Sequence, residues 1–286
     1  MKIGIFEFAI DRSVDPAIVA KRTEELGFDS YWVPEHPIIP IQTTSPYPGA
    51  DDGIIPDEYG RILDPFVALA RASAVTSTIE LGTGICLIPE RNPLMLAKEV
   101  ATLDKLSGGR FILGIGAGWL REETEIMGGD FEHRWGQTKD GVLAMKELWT
   151  QNEAEYHGKF YDFPAVRSFP KPVRKPHPPV YMGGSSKYVF KRVVEWGDGW
   201  MPVLSPLEDI KAGRQRLNEM AEQAGRDPKS IQVLAFGFPG KYRTRQELAE
   251  LQDAGVDHVT IWMQECDNGE AAALAELDAL AKEALA

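Results

Sequence analysis

Two ionisable residues stand where short apolar runs end, which is where an α/β fold exposes side chains for chemistry. His36 lies in Val33-Pro-Glu-His-Pro, and an imidazole there can exchange a proton near neutral pH. The same histidine also fits a purely structural role capping the loop. Glu7 closes the run Lys2–Phe6 and reads either as a proton donor or as a rim carboxylate paired to an arginine. A third element carries no side chains at all. Gly114, Gly116 and Gly118 follow Phe111 in Ser107-Gly-Gly-Arg-Phe-Ile-Leu-Gly-Ile-Gly-Ala-Gly-Trp119. Backbone without Cβ atoms at a strand exit lets amides approach a flat ring or a phosphate, or simply relieves crowding. Gly183 and Gly184 are followed by Ser185, Ser186 and a helix expected from Lys187. Free amides at a helix start together with two hydroxyls suit an anion; an ordinary serine N-cap would use only one of them. Lys187, Lys191 and Arg192 on that helix would either receive an anion or form a solvated face. HExxH, a cysteine quartet and a Walker loop are all missing, so zinc hydrolysis and P-loop phosphoryl transfer find no support and no metal site is expected.

These residues need a scaffold that brings strand ends together, and the hydrophobic periodicity supplies one. Apolar runs are predicted as strands over Lys2–Phe6, Ser30–Val33, Glu80–Cys86, Phe111–Ile115, Pro179–Met182, Gly199–Met201, Ile231–Phe236 and His258–Met263. Amphipathic stretches between and after them predict helices over Pro16–Leu26, Pro65–Val75, Leu94–Leu106, Gln137–Trp149, Lys187–Trp196, Leu207–Ala224, Arg245–Ala254 and Glu270–Ala284. Eight strictly alternating pairs point to an α/β (β/α)8 TIM barrel spanning the whole chain, with a doubly wound open sheet as the competitor. Insertions at Pro34–Asp64 and Trp119–Trp135 would lie over the carboxyl-end face, and Gln151–Pro178 would form a packed excursion. In a barrel, that face collects Glu7, Glu35, His36, Cys86, Gly116, Gly118, Gly183, Trp200 and Trp262.

The net charge of -12 argues against nucleic acid or an anionic membrane as partner, because both are bound through basic surface. With 43% hydrophobic residues and no apolar run near the ~18 residues a span requires, the chain reads as a globular protein without membrane segments. The start, Met1–Ile10, lacks the features of a signal peptide, and two cysteines are too few for a disulfide scaffold, so a cytoplasmic location is expected.

Several longer segments together resemble the luciferase-like monooxygenase superfamily: Asp29-Ser-Tyr-Trp-Val-Pro-Glu-His36, Glu80-Leu-Gly-Thr-Gly-Ile85, Asn92 to Asp104, Ser107 to Trp119 and Asp198-Gly-Trp-Met-Pro202. Leu106-Ser-Gly-Gly-Arg110, Gly118-Trp-Leu-Arg-Glu-Glu123 and Pro176-His-Pro-Pro-Val180 are more similar to the branch that uses coenzyme F420, a 5-deazaflavin. The resemblance implies a barrel, a homodimer, and the coenzyme ring over the carboxyl ends of the strands. His36 would then be the active-site histidine, with Glu7 as a second catalytic candidate on the ring face. Glu35 would belong to the cofactor site; Thr83, Gly84 and Ile85 would back the ring, with a cis peptide between Gly84 and Ile85. Gly116 and Gly118 would line the coenzyme's side chain, and Gly183, Gly184, Ser185 and Ser186 would meet its phosphate. The implied reaction is hydride transfer between F420 and a small organic substrate; an FMN-dependent monooxygenase or a non-catalytic flavin-binding protein is the alternative. Sugar-phosphate dehydrogenases of the superfamily carry a glutamate where this chain has Trp119, and Trp32, Trp119, Trp200 and Trp262 favour an apolar or aromatic substrate.

Overall fold

The computed structural model describes residues 1–285. In chain order the strands are β1 (Lys2–Phe6), β2 (Ser30–Val33), β3 (Glu80–Thr83), β4 (Cys86–Leu87), β5 (Phe111–Gly116), β6 (Ala154–His157), β7 (Asp162–Val166), β8 (Val180–Gly183), β9 (Gly199–Met201), β10 (Gln232–Phe236) and β11 (His258–Trp262). The helices are α1 (Pro16–Leu26), α2 (Pro65–Ser73), α3 (Pro93–Leu106), α4 (Arg121–Ile126), α5 (Arg134–Thr150), α6 (Val189–Trp196), α7 (Leu207–Gln223), α8 (Arg245–Asp253) and α9 (Glu270–Ala284). All barrel pairings are parallel, in the cyclic order β1, β2, β3, β5, β8, β9, β10, β11 and back to β1, so the sheet closes on itself and the open-sheet alternative falls away. Among the described residues no helix is long and apolar enough to cross a membrane.

Local chemistry explains where the helices begin. Three of them repeat one device: Asp15-Pro16, Asp64-Pro65 and Asn92-Pro93 each place a capping side chain on free amides of the first turn and a proline at its start. The proline surrenders an N–H that has no partner there, and its fixed φ suits the helix. Helix α8 starts with a reciprocal capping box between Thr244 and Glu247. Gly27 ends α1 at φ 91°, a left-handed conformation that favours glycine.

Strand alternation sorts the core into two layers. Ile5, Tyr31, Leu81, Leu113, Met182 and Val233 face the helices in the larger cluster, while Phe6, Trp32, Ile112, Met201 and Leu234 fill the barrel interior. Truncating any of these fully buried aliphatic side chains to alanine costs about 2–5 kcal/mol. The interior also holds a small polar knot. Trp32 Nε1–H donates to Ser30 Oγ at 2.7 Å, and Ser30 Oγ lies 2.7 Å from His258 Nε2. The indole donates to the serine oxygen, and burial depresses the neighbouring imidazole to about 3.

Three expectations need amendment. The predicted strand Glu80–Cys86 is interrupted at Gly84 and Ile85, whose peptide bond is cis, leaving β3 and the two-residue β4. Helix α6 begins at Val189 rather than Lys187, with Tyr188 at its cap position and no side-chain cap. The excursion Gln151–Pro178 holds an antiparallel hairpin, β6 with β7.

Candidate active site

A cavity of about 560 Å3 opens at the carboxyl ends of the barrel strands, and residues beyond each of the eight contribute to its wall. Phe6 and Phe8 come from β1; Glu35, His36, Tyr47 and Tyr59 from the long connection after β2; Gly84, Ile85 and Leu87 from the break after β3. Gly116, Gly118, Trp119 and Trp135 follow β5, and Gly183, Gly184 and Ser185 follow β8. Val203, Leu204, Phe236 and Trp262 complete the wall from β9, β10 and β11.

The floor on one side is Ile85, and the glycines around it are spaced by its side chain. A Cβ on Gly116 would run into Ile85 Cδ1, and one on Gly183 would come within 2.7 Å of the same atom and 3.2 Å of the Ile115 carbonyl. Gly84 is pressed against Phe236 and Phe6. Gly184 differs: at φ 123° it sits in a conformation that L side chains rarely adopt, although a Cβ would meet nothing within 4 Å. Trp200 donates its Nε1–H to the Gly184 carbonyl at 2.8 Å and holds the turn. The result is a bare, backbone-lined surface leading to the exposed hydroxyl of Ser185.

His36 lines the same cavity with its side chain only 8% exposed. Its Nδ1 is 2.6 Å from Glu123 Oε2, and Trp119 donates Nε1–H to its Nε2 at 3.3 Å. Because an indole N–H cannot accept, Nε2 of neutral His36 carries the lone pair and Nδ1 carries the proton that Glu123 accepts. Glu123 is itself fully buried, and its Oε1 accepts from the Ile38 amide at 3.4 Å. Behind Gly118 lies Glu90, whose Oε1 accepts from Thr124 Oγ1 at 2.9 Å. Burial, reinforced by the neighbouring Glu123 carboxylate, pushes Glu90 up to about 8.

The site gathers Glu35, His36, Gly84, Ile85, Gly116, Gly118, Gly183, Gly184 and Ser185 as the sequence implies, but three expected members, Glu7, Thr83 and Ser186, stand elsewhere. Glu7 shares the outward parity of Ile5 and Ala9, while Phe6 and Phe8 take the inward positions. Its carboxyl is fully buried against the helix layer, where Tyr31 Oη donates to it, and burial pushes it up to about 8. It is therefore not a residue of the ring face. Thr83 is buried beneath the wall, donating to the Gly114 carbonyl at 2.7 Å. Ser186 is exposed and outside the cavity lining. Glu35 reaches the cavity, yet its carboxylate is spent on the Leu87 amide at 2.7 Å and on Arg91 Nε at 2.6 Å. Of the four tryptophans, Trp119 and Trp262 line the cavity, Trp32 is locked in the barrel interior and Trp200 supports Gly184 from outside it.

Sequence reasoning assigned no role to Glu123, Tyr47 or Tyr59. Glu123 sits in the quoted Gly118-to-Glu123 motif, 87 positions from His36, and only the proximity of the β2 and β5 exits pairs them. The tyrosines lie in the Pro34–Asp64 insertion, and their hydroxyls bond each other at 2.8 Å over the cavity.

Residues 17–285 match the model of the luciferase-like monooxygenase family. An uncharacterized protein of Mycobacterium tuberculosis is 37% identical over 281 residues, covering 96% of either chain. Among solved structures, a monooxygenase from Streptomyces bottropensis superposes with a TM-score of 0.77 at 21% identity, covering 99% of this chain and 98% of that one. The coenzyme F420-dependent tetrahydromethanopterin reductase of Methanopyrus kandleri does so with a TM-score of 0.75 at 19% identity, covering 100% and 99%. With the closed barrel and the family match over nearly the whole length, this chain belongs to the luciferase-like monooxygenase family.

Proposed function

We propose that the protein is a coenzyme F420-dependent oxidoreductase acting on a small, largely apolar or aromatic organic substrate. The observation that carries this reading is the meeting, in one cavity, of a glycine-lined floor around Ile85 and the His36–Glu123 pair. A planar ring fits the first; a proton-handling group is supplied by the second. The motifs Leu106 to Arg110 and Gly118 to Glu123 favour the deazaflavin branch, the class of coenzyme named for the Methanopyrus kandleri reductase.

Ile85, Gly84 and Gly116 would back the ring, Gly118 would line its side chain, and Gly183, Gly184 and Ser185 would meet the phosphate. When bound, the deazaflavin supplies or accepts a hydride at its central ring carbon. The chain's own groups do the rest. His36 takes or returns a proton at Nε2, and the Glu123 carboxylate behind Nδ1 stabilises the imidazolium that results. Trp119 donates its indole N–H to Nε2 of the neutral ring, a bond released when that nitrogen takes a proton. Phe6, Phe8, Phe236 and Trp262 exclude water and present apolar walls to the substrate. A homodimer is part of the reading: Val67 on α2, with Met95 and Leu106 on the packed neighbour α3, expose apolar surface.

Titration of the purified protein with F420 and, separately, with FMN, followed by the fluorescence of each, tests the cofactor. Saturable quenching by F420 alone is expected. Saturable binding of FMN without F420 would replace this reading by the flavin monooxygenase, and binding of neither would remove both. Turnover with secondary alcohols and ketones then separates an enzyme from a protein that only holds the coenzyme.

A further inference from the structure

Beyond the aromatic wall of the main cavity lies a second one, of about 340 Å3. Phe8, Tyr47, Tyr59 and Trp262 line both, so the two cavities meet along these four rings. Phe8 and Trp262 stack there with centroids 5.7 Å apart and planes 9° from parallel, and Tyr59 lies 5.0 Å from Phe8. The far side of the second cavity has a different character. Arg12 is neutralised by Asp267 at 3.3 Å, whereas Glu58 makes no ion pair or side-chain hydrogen bond among the described residues. The Gln264 amide nearby is exposed; only its backbone N–H is engaged, by Glu276. The second cavity thus pairs a flat apolar wall with a single uncompensated carboxylate, in a protein whose net charge of -12 already disfavours anions.

We propose that the second cavity is a distal subsite for the substrate of the first. The molecule handled at His36 is then elongated, with an aromatic or aliphatic middle lying along Phe8, Tyr59 and Trp262 and a primary ammonium end beside Glu58. This rests on reading the larger cavity as the reaction site. Its glycine-lined side is the seat of the coenzyme, which leaves the aromatic side, and the space past it, for substrate. An ammonium group gains from Glu58 without requiring burial of either charge, and the apolar stem supplies the affinity.

The test uses benzylamine, 4-phenylbutylamine and 4-phenylbutan-1-ol as probes, with binding read from quenching of tryptophan fluorescence. In the wild type 4-phenylbutylamine is expected to bind about tenfold more tightly than benzylamine, because the three added methylenes reach past the shared wall. Glu58→Lys should weaken 4-phenylbutylamine about fivefold and leave 4-phenylbutan-1-ol unchanged, since only the amine meets the reversed charge. Gln264→Trp, a change at an exposed position, should weaken both long probes by filling the subsite and spare benzylamine. Equal affinity of all three probes for the wild type, or an amine indifferent to Glu58→Lys, would overturn the subsite. Coenzyme titration of the same proteins keeps the two readings apart: neither Glu58 nor Gln264 lines the larger cavity, so F420 binding should be equal in all three. Loss of F420 binding in the wild type would strike the proposed function and leave the length and charge dependence of the probes to be judged alone.

Discussion

The glycines at the exits of β3, β5 and β8 present backbone to the cavity, whereas the side built by β1, β2 and β11 is crowded with rings. Gly84, Gly116, Gly118, Gly183 and Gly184 supply the first; Phe8, Tyr47, Tyr59 and Trp262 supply the second. The glycine side works through backbone, so any Cβ added there acts on shape and conformation at once. The ringed side works through side chains, which can be exchanged while the backbone stays. A coenzyme seat that relies on close backbone approach suits the first; a substrate seat shaped by side chains suits the second. His36 stands between them, held from behind by Glu123.

The sharpest way to break that division is His36→Ala. Turnover should fall about a hundred- to ten-thousand-fold, the usual range for a positioned acid or base, while F420 affinity changes little because the coenzyme seat is untouched. Coenzyme titration and turnover at matched folded concentration check it; equal turnover would reduce His36 to a structural histidine.

Gly184→Asp attacks the glycine side. It places a side chain at φ 123° and a like charge where the coenzyme phosphate is expected, so affinity should drop on the order of a hundredfold with folding retained. Circular dichroism and F420 titration measure the two quantities. Unchanged affinity in a folded variant would move the phosphate elsewhere.

Glu7 tests the boundary of the site from outside. Its carboxyl stays protonated in the fold up to about 8, against an ordinary value of 4.5. Between those values the native state holds a proton that the unfolded state has released, so stability falls as pH rises through the window and is level above it. Glu7→Gln keeps a neutral side chain beside Tyr31 and removes this slope; it should be more stable than the wild type by about 4 kcal/mol at pH 8 and near parity at pH 4. Urea unfolding at the two values decides, and a parallel pH response in both proteins would mean that Glu7 is ionised in the fold. Turnover at saturating substrate should be unaffected, in contrast to His36→Ala.

The smallest effect is expected for Tyr59→Phe. It deletes the 2.8 Å bond to Tyr47 and keeps the ring, costing about 1 kcal/mol of stability in the loop over both cavities. Coenzyme affinity should hold, and substrate KM should rise by a few-fold. A large loss of F420 binding would show that the ringed side also seats the coenzyme.

Much of the scaffold was legible because its signals are local. Asp15-Pro16 and Asn92-Pro93 mark helix starts wherever they fall, and short apolar runs such as Phe111–Ile115 mark strands buried on both faces. The break in the third strand was half legible: the resemblance placed a cis bond at Gly84–Ile85, while the apolar run alone carried the strand through to Cys86. The serines after Gly184 look like caps in sequence, but the chain turns once more before α6, so the helix starts at Val189 with neither serine side chain on its amides.

What the sequence determined by itself was the set of elements, their order, and the side-chain-free strand exits, because caps, periodicity and glycine act over a few residues. Tertiary structure decided the rest. Alternation says that Glu7 and Phe6 point to opposite faces, but only closure of the barrel settles that Phe6 turns inward and Glu7 out to Tyr31. The pairing of His36 with Glu123, and the meeting of Tyr47 and Tyr59 with Trp262, join segments far apart in the chain. Such contacts exist only where strand exits converge on one rim, and a linear pattern does not encode which loops share it.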